Sequence, residues 1–307
     1  MADALDTTCG DQAHVPVLLA EAVDALAVKP GGRYVDGTFG RGGHAREIVR
    51  RGGEVLGIDR DDEAVASAGG IRVVKGRHGD VKEIASDNGW NEVDGILLDL
   101  GVSSPQLDDA GRGFSFMRDG PLDMRMDRSQ GVSAADIVNG ESAEGLEAIF
   151  RDLGEEPAAR RIARAIAGRR GFKTTSELAD FVESVLPRHG AHHPATRVFQ
   201  ALRMAVNDEL GELARALEGG IGLLRPGGRF AVISFESLSD RAVKRFFAAH
   251  VGRMVSLQQG GEEWVGELPR ARHVTRRAVM AGSRERALNP RSRSARLRAI
   301  EREATEG

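Results

Sequence analysis

The sequence predicts an α/β fold in which a doubly wound, Rossmann-like sheet carries a helical insertion. Two observations predict it. The first third of the chain alternates short β-rich runs with helical stretches, the pattern of a parallel sheet covered by helices. Strand signals then vanish between about residues 108 and 205 and return afterwards, as expected if helices interrupt one α/β domain.

The first half of the sheet follows from β-rich runs that are separated by helical periodicity. Strands are predicted at residues 33–36, 54–59, 72–74 and 93–99. The crossovers between them are predicted helices at residues 44–51, 62–68 and 81–88. Parallel neighbours need such crossovers, so this region predicts a sheet with helices on both faces.

The middle and the end of the chain complete the architecture. Helices are predicted at residues 144–150, 155–170 and 177–186, the last with Thr174 and Glu177 as a capping box. The α/β pattern resumes with a helix at 196–217, a turn at 226–228, a strand at 229–235 and a helix at 240–250. We therefore predict one domain from residues 1–107 and 206–307, and a helical, substrate-recognition insertion from 108–205.

Composition narrows the class of protein. No apolar run approaches the roughly 18 to 20 residues that cross a bilayer, and the polar start lacks the features of a signal peptide. We therefore expect a cytoplasmic protein without a membrane partner. The single cysteine, Cys9, excludes an intramolecular disulfide and a cysteine-based metal cluster.

Positive charge is concentrated near the end of the chain. Residues 269–298 hold ten arginines and one glutamate, a local charge of +9 in a chain whose net charge is -3. Such a run is either a solvated tail or a surface that neutralises nucleic-acid phosphates. The second reading requires that other features indicate a polyanionic substrate.

A glycine-rich turn at residues 36–44, DGTFGRGGH, follows the first predicted strand. Glycines there permit a tight turn and the close approach of a ligand to backbone amides. Asp59, at the end of the second strand, could accept hydrogen bonds from ribose hydroxyls. These features suit nicotinamide enzymes and methyltransferases alike, but Asp36 before the glycines suits the ammonium of a methionine moiety better than a pyrophosphate.

The fourth strand ends on Asp99, at the carboxyl edge where open α/β sheets bind ligands. The following loop, residues 100–106, concentrates small polar groups where a target base would meet the cofactor. We predict that Asp99, Ser103 and Ser104 are catalytic residues, and that Asp99 or a backbone carbonyl of the loop accepts hydrogen bonds from the reacting group.

Together these residues carry a family resemblance that spans nearly the whole chain. The sequence resembles the bacterial RsmH/MraW family, the ribosomal RNA small subunit methyltransferases H that methylate cytosine N4 in 16S rRNA. The matching strings are HVPVLL at 14–19, residues 36–44, residues 99–108, RGFSF at 112–116, PLDMRMD at 121–127, HPATR at 193–197, FQALR at 199–203 and NPRSRS at 289–294.

The resemblance implies an S-adenosylmethionine methyltransferase sheet, a cofactor site and a substrate. The S-adenosyl-L-methionine contacts that it implies, together with Asp36 from the argument above, are Asp36, Gly42, Gly43, His44, Asp59, His78, Asp99 and Gln106. His78 stands where the family usually has an aromatic residue beside the adenine. The implied partner is 16S rRNA in the small ribosomal subunit, modified in its decoding region.

The chain departs from the family in the string SFESLSDR at residues 234–241. The family typically has His at the position of Glu236 and Glu at the position of Ser239. An additional carboxylate would add negative charge to a pocket that admits RNA. We therefore assign no catalytic role to this loop.

The cysteine count bears on the chemistry. Methylation of carbon 5 of cytosine ordinarily requires a thiolate that adds to carbon 6, whereas an exocyclic amine needs no covalent adduct. Cys9, the only thiol, is far in sequence from the Asp99 loop. The sequence therefore predicts direct attack of the amine on the sulfonium methyl group, without a metal.

Two other classes stay open at this point. A nicotinamide oxidoreductase would share the glycine turn, but the only tyrosine, Tyr34, lies within the first strand and provides no Tyr–Lys relay. A non-catalytic RNA-binding or assembly protein would share the arginines. His189, His192 and His193 resemble metal ligands only superficially, and we expect no metal. The oligomeric state stays open, and a dimer is compatible with the sequence.

Overall fold

A computed structural model of the chain describes residues 16–188, 193–259 and 261–304. Its strands are β1 Arg33–Asp36, β2 Glu54–Asp59, β3 Arg72–Lys75, β4 Val93–Asp99, β5 Leu224–Ser234, β6 Arg253–Ser256, β7 Glu262–Val265, β8 Ala271–His273 and β9 Arg296–Arg302. Its helices are α1 Leu19–Leu26, α2 Gly43–Arg50, α3 Asp62–Ala66, α4 Val81–Asp87, α5 Ser104–Asp108, α6 Ala134–Gly140, α7 Ala143–Asp152, α8 Ala159–Arg169, α9 Thr175–Val185, α10 Ala195–Val206, α11 Glu209–Leu223, α12 Ser237–Val251 and α13 Ser283–Leu288.

A seven-stranded sheet forms the centre of the molecule, in the order β3-β2-β1-β4-β5-β9-β8. Strands β1 to β5 pair in parallel, while β9 pairs antiparallel with both β5 and β8. The α/β prediction is confirmed, and β1, β2 and β4 have the predicted bounds. The chain order reverses direction between β1 and β4, which is the point where such sheets bind ligands.

The carboxyl ends of β2, β1 and β4 meet at one edge of the sheet because these strands are parallel neighbours. Apolar side chains bury the strands on both faces, as parallel strands require. The last residues of β1, β2 and β4 are the acidic residues Asp36, Asp59 and Asp99. The sheet therefore positions three carboxylates at a common edge.

The insertion has a hydrophobic core of its own, formed by buried residues between Phe114 and Leu202. Phe114 is buried in it, and Phe116 packs on the rings of Phe199 and His193. These contacts give both phenylalanines a packing role. The predicted boundaries at residues 108 and 205 remain a proposal, which this separate core supports.

One predicted helix, at residues 196–217, is wrong, because the structure divides it into α10 and α11. Asp208 adopts a left-handed conformation with φ 48 and separates the two helices. The side chain of Asn207 donates to the carbonyl of Met124 and accepts from the amide of Met126. Apolar spacing continues across this break, so periodicity alone did not reveal it.

The arginine-rich end is not a free tail, which corrects that reading of residues 269–298. The segment contains β8 and the start of β9, and β9 lies inside the sheet with Leu297 and Ala299 buried. Arg298 forms an ion pair with Asp240, with Nε 2.7 Å from Oδ1. Strands β6 to β9 were missed because they are short or interrupted by charged residues.

None of the helices within the described ranges combines the length and the apolar character that a membrane span requires. Cys9 and His14 of the sequence analysis lie outside the described residues, as do His189 and His192.

Candidate active site

The turn between β1 and α2 forms the floor of the candidate site. Gly42 has φ 69, and a Cβ there would lie 2.5 Å from the ring of Phe39. A Cβ on Gly43 would lie 2.1 Å from Pro16. Glycine is therefore required at both positions by the turn itself.

Asp59 joins this turn to the end of β2. Its Oδ2 accepts a hydrogen bond from the amide of Gly40 at 2.8 Å, and its Oδ1 accepts from the amide of Asp61 at 2.9 Å. Burial raises the pKa of Asp59, while the two amide bonds act in the opposite direction. The carboxylate is thus held in a fixed orientation, and its predicted role as ribose acceptor stays a prediction.

Asp99 is the least satisfied carboxylate of the site. Its backbone amide donates to Thr38 Oγ1 at 2.6 Å, but its side-chain Oδ1 is buried without a hydrogen-bond partner among the described residues. The side chain as a whole is 25% exposed, so it borders open space. Burial, reinforced by the negative charge of Asp36, raises the pKa of Asp99 to about 8.

Asp36 is buried more deeply, with 1% of its surface exposed. Its Oδ1 accepts one hydrogen bond, from the amide of Thr38 at 3.2 Å. Burial raises the pKa of Asp36 to about 7, and the charge of Asp59 acts in the same direction. Thr38 therefore contacts both strand ends, a role that the sequence analysis missed although the residue lies within the glycine-rich turn.

Two histidines with unpartnered nitrogens complete the edge. His44, at the start of α2, is 5% exposed, and its Nδ1 lies 3.9 Å from Asp99 Oδ2. Burial lowers the pKa of both His44 and His78 to about 4, so the rings are neutral and His44 forms no ion pair with Asp99 at neutral pH. The Nε2 atoms of His44 and His78 are buried and have no partner within the described part of the chain.

The loop that carries His78 is fixed from the opposite side by Glu212 of α11. This glutamate is fully buried and accepts hydrogen bonds from the amide of Gly79 at 3.1 Å and from Arg77 at 3.1 Å. The β carbon of His78 lies beside Gly37, where an added Cβ would be 3.4 Å away. His78 thus lies beside the turn that follows β1, and its predicted contact with the cofactor stays a prediction.

The predicted residues after β4 begin the short helix α5. Gln106 is buried, and its Oε1 accepts a hydrogen bond from the amide of Ser103 at 3.0 Å. Its Nε2 donates to Asp61 Oδ2 at 2.8 Å, which ties α5 to the start of α3. Ser104 is the first residue of α5. Gln106 thus has an architectural role, and its predicted contact with the cofactor stays a prediction.

Asp61 and Arg112 form a buried hub that the sequence analysis did not single out. Arg112 Nη1 lies 2.9 Å from Asp61 Oδ2, and Arg112 Nη2 donates to the carbonyl of Met126 at 2.9 Å. This ion pair connects the end of β2 to the insertion. The family string at residues 112–116 includes Arg112. Its partner Asp61 lies 51 residues away, and such a distant pairing cannot be predicted from the sequence.

A second ionic cluster surrounds Arg203 of α10. Its guanidinium binds both carboxylate oxygens of Glu209, at 2.7 and 2.9 Å, and Glu236 Oε1 at 2.8 Å. These two neighbouring carboxylates raise its pKa. Glu236, the departure from the family string, is thus neutralised by an arginine instead of adding free negative charge to the pocket.

The carboxylates at the sheet edge differ from the buried acids elsewhere in their lack of a cationic partner among the described residues. They are Asp36, Asp59 and Asp99. Within the described ranges, none of the three has a lysine or arginine within ion-pair distance. Buried carboxylates elsewhere have arginine partners, namely Asp61 with Arg112, Asp94 with Arg225, Asp123 with Arg125, Glu212 with Arg77 and Arg215, and Glu301 with Arg229 and Arg272. The edge of the sheet is therefore suited to a cationic ligand with hydrogen-bond donors.

The described part of the chain contains no group of three His, Cys, Asp or Glu side chains that is arranged to hold a metal ion. His193, one of the histidines considered above, accepts a hydrogen bond from the amide of Ala195 at 3.1 Å. Its Nε2 lies 3.4 Å from Glu183. Its contacts are those of a residue that starts a helix.

Comparison with known proteins adds a family match and close relatives. The model of the MraW methylase family matches residues 11–303. A "Ribosomal RNA small subunit methyltransferase H" of Parvibaculum lavamentivorans is 48% identical over 305 residues, 95% of this chain and 90% of that protein. A protein of the same name from Paramagnetospirillum magneticum is 48% identical over 308 residues, 95% of this chain and 96% of that protein.

Among solved structures, an rRNA methylase from Streptococcus thermophilus aligns with 95% of this chain and 100% of its own, with 9% identity and a TM-score of 0.42.

Proposed function

Since this chain belongs to the MraW methylase family, we propose that it transfers a methyl group from S-adenosyl-L-methionine to the exocyclic N4 amine of a cytosine in 16S rRNA. The relatives' name supports the small ribosomal subunit as the location of the target. We place the target in the decoding region and the protein in the cytoplasm, because these properties accompany the family resemblance.

The observation that carries this proposal is the set of carboxylates without cationic partners at the ends of β1, β2 and β4. S-adenosylmethionine has a sulfonium and an ammonium, so it supplies the positive charge that this edge lacks. A dinucleotide would bring a pyrophosphate close to Asp36 and Asp99, where two buried acids repel it. The edge therefore favours the methyl donor over a nicotinamide cofactor.

The residues at this edge fit the different parts of the cofactor. Asp59 is positioned to accept from ribose hydroxyls, Asp36 lies beside the turn where an ammonium would be neutralised, and His78 offers a ring for the adenine. Gly42 and Gly43 let the methionine moiety approach the start of α2. Bound there, S-adenosylmethionine supplies an electrophilic methyl group.

On the substrate side, Asp99 is the acceptor best placed to hold the reacting amine. Its unpartnered Oδ1 can accept a hydrogen bond from the N4 amine and orient the nitrogen lone pair toward the methyl group. Ser103 and Ser104 lie where the loop after β4 enters α5, and this loop would border the target base. Direct attack needs no thiol, and the family resemblance carries N4 as the acceptor, so we propose N4 and not carbon 5.

RNA would bind through arginines that are exposed and unpaired. Six arginines of residues 269–298 are exposed and have no carboxylate partner among the described residues, namely Arg270, Arg276, Arg277, Arg284, Arg286 and Arg293. Arg291 is different, because it binds Asp108, which ends α5 just after the Asp99 loop. This bond brings the segment to the substrate side of the site, where it can contact RNA phosphates.

Incubation with methyl-labelled S-adenosylmethionine and small ribosomal subunits that lack the modification tests the proposal. We expect label in 16S rRNA and N4-methylcytidine in the digested RNA by mass spectrometry. Cys9→Ser should label the RNA equally well. A 5-methylcytidine product that disappears in Cys9→Ser would contradict the mechanism, and the absence of label in any RNA would contradict the function.

A further inference from the structure

We infer that Asp36 and Asp99 together retain one proton in the cofactor-free protein and release it when a sulfonium enters, so that this pair distinguishes S-adenosylmethionine from its demethylated product by charge. The inference rests on the proposed function, because it concerns the same site. It adds a specificity role for Asp36 and a defined destination for the proton that methyl transfer liberates.

The sheet places the two carboxylates at the ends of neighbouring strands, and neither has a lysine or arginine ion-pair partner among the described residues. They end the adjacent strands β1 and β4, which pair with Asp36 opposite Leu97. Thr38 contacts both residues, through its amide to Asp36 and its hydroxyl to the amide of Asp99. Asp99 Oδ1 is buried without a hydrogen-bond donor from the described residues, and Asp36 Oδ1 accepts only the amide of Thr38 among them.

The surrounding groups do not supply the missing positive charge. Asp59 adds a negative charge near Asp36, and Asp61 adds another near Asp59. His44 faces Asp99 as a neutral ring, and His78 is neutral as well. Arg60 acts on Asp59, but its guanidinium donates to the carbonyl of Asn207 at 3.1 Å, away from both members of the pair.

Two neighbouring buried carboxylates cannot both be ionised at low cost, so one proton between them is the favourable state. Burial raises the pKa of Asp36 to about 7, and burial together with the charge of Asp36 raises the pKa of Asp99 to about 8, in the direction that one retained proton requires. A sulfonium beside the pair provides the same positive charge as the proton. Entry of the charged methyl donor therefore expels the proton, whereas the uncharged thioether of the product leaves it in place.

The same pair accounts for the proton of the reaction. As the bond between N4 and the methyl carbon forms, the bond between sulfur and that carbon breaks, and its electron pair stays on sulfur. The amine then loses one of its two protons, and Asp99 Oδ1 accepts it just as the positive charge on sulfur disappears. The pair is again singly protonated in the product complex, and one proton per turnover reaches solvent when fresh methyl donor replaces the product.

Calorimetry in buffers of different ionisation enthalpy tests the inference. At pH 7 we expect S-adenosylmethionine to release more protons than S-adenosylhomocysteine does, by close to one proton per site. The two ligands share their amino and carboxyl groups, so the difference reports on the sulfonium. In Asp36→Asn the difference should fall below about half a proton, while Asp62→Asn, an exposed acid paired with Lys75, should retain it.

The possible results separate the inference from the function. Equal proton release by the two ligands in the unmodified protein would overturn the inference while leaving the function standing. A complete lack of binding by both ligands would instead contradict the proposed function. If Asp36→Asn does not fold, Asp99→Asn should show the same loss of the difference, and an unchanged difference in that variant overturns the inference.

Thermal unfolding gives an independent readout. A carboxyl whose pKa is raised by folding stabilises the protein below its unfolded pKa, near 4, and this stabilisation is lost as pH rises through about 7 to 8. The Tm of the cofactor-free protein should therefore fall between pH 6 and 9, and less steeply in Asp36→Asn. Parallel curves for the two proteins would overturn the inference.

Discussion

Two regions of the molecule bury carboxylates in opposite ways. At the ends of β1 and β4, Asp36 is buried and Asp99 has a buried Oδ1, and neither has a lysine or arginine partner among the described residues. At the junction of α10, α11 and α12, Glu209 and Glu236 are both bound by Arg203. The two regions are joined through the sheet, since β5 leads from the edge beside Asp99 to Glu236.

The difference distinguishes carboxylates that stabilise the fold from carboxylates that bind a ligand. A buried carboxylate that has an arginine is satisfied in the folded chain and contributes to holding elements together. A buried carboxylate without one destabilises the chain until a ligand arrives, and such groups are concentrated at functional sites. The contrast therefore indicates which acids act on ligands, and substitutions in each region can confirm or break it.

The largest effect is expected from Asp99→Asn. The amide keeps the shape of the side chain but cannot accept the proton of the amine and presents a donor to it, so single-turnover methyl transfer should fall by about 100- to 10,000-fold. The protein should stay folded, and its stability at pH 8 should rise, because a buried charge is removed. Rapid-quench measurement with labelled cofactor and circular dichroism check the two parts.

Asp62→Asn provides the matched control for this substitution. Asp62 is exposed and lies near the same edge, so its methyl-transfer rate should stay within about twofold of the unmodified protein. Normal turnover in Asp99→Asn would remove Asp99 from the chemistry. The unpaired carboxylate would then serve binding alone.

A substitution at the junction of α10, α11 and α12 should lower the stability of the protein, whereas Asp99→Asn should raise it. Arg203→Met leaves Glu209 and Glu236 buried without a partner, so the free energy of unfolding should fall by about 3 to 5 kcal/mol. Urea denaturation measures it. Changing both glutamates to Gln in the same chain should recover much of the loss, because the uncompensated charges disappear. A loss below about 1 kcal/mol would show that the cluster behaves as a surface ion pair.

Asp59→Ala tests a carboxylate that is intermediate between the unpaired Asp99 and the arginine-bound glutamates. Asp59 lacks a cationic partner among the described residues but accepts hydrogen bonds from two backbone amides. We expect S-adenosylmethionine affinity to weaken by about 1.5 to 3 kcal/mol, the value of a charged hydrogen bond. Calorimetry measures it. Asp59→Asn, which keeps an acceptor for Gly40, separates loss of the turn from loss of the ribose contact. Unchanged affinity in a folded Asp59→Ala protein would contradict the ribose assignment.

The smallest effect on the isolated protein is expected from the exposed arginines. Changing Arg284, Arg286 and Arg293 to Gln should lower the slope of log affinity for ribosomal substrate against log salt by about 2, at about 0.7 per lost phosphate contact. Cofactor affinity should stay the same. Arg50→Gln, in which an arginine paired with Glu47 is lost, serves as the control. An unaltered slope would leave the segment with a structural role only.

The sequence predicted much of the crevice because its signals are local. Alternating strands and helices gave the parallel half of the sheet, and a residue at the end of a strand must lie at the sheet edge. Asp36, Asp59 and Asp99 could therefore be placed together without a structure. The resemblance to the family, carried by several uncommon strings, supplied the cofactor and the reaction.

Ion pairs between residues far apart in the chain could not be predicted from the sequence. Arg203 lies 33 residues before Glu236, and Arg112 lies 51 residues after Asp61, so neither pair leaves a periodic or adjacent signal. The break at Asp208 also depends on a distant contact, since the side chain of Asn207 bonds to backbone groups of Met124 and Met126 in the insertion.

By itself, the sequence determined the fold class, the strand ends and the residue types at the edge, because strand period, glycine turns and chain order act over a few residues. Only the tertiary structure decided which buried acids have an arginine and which arginines remain exposed. Charge compensation depends on distances between segments far apart in the chain, and those distances exist only once the sheet and the insertion have packed.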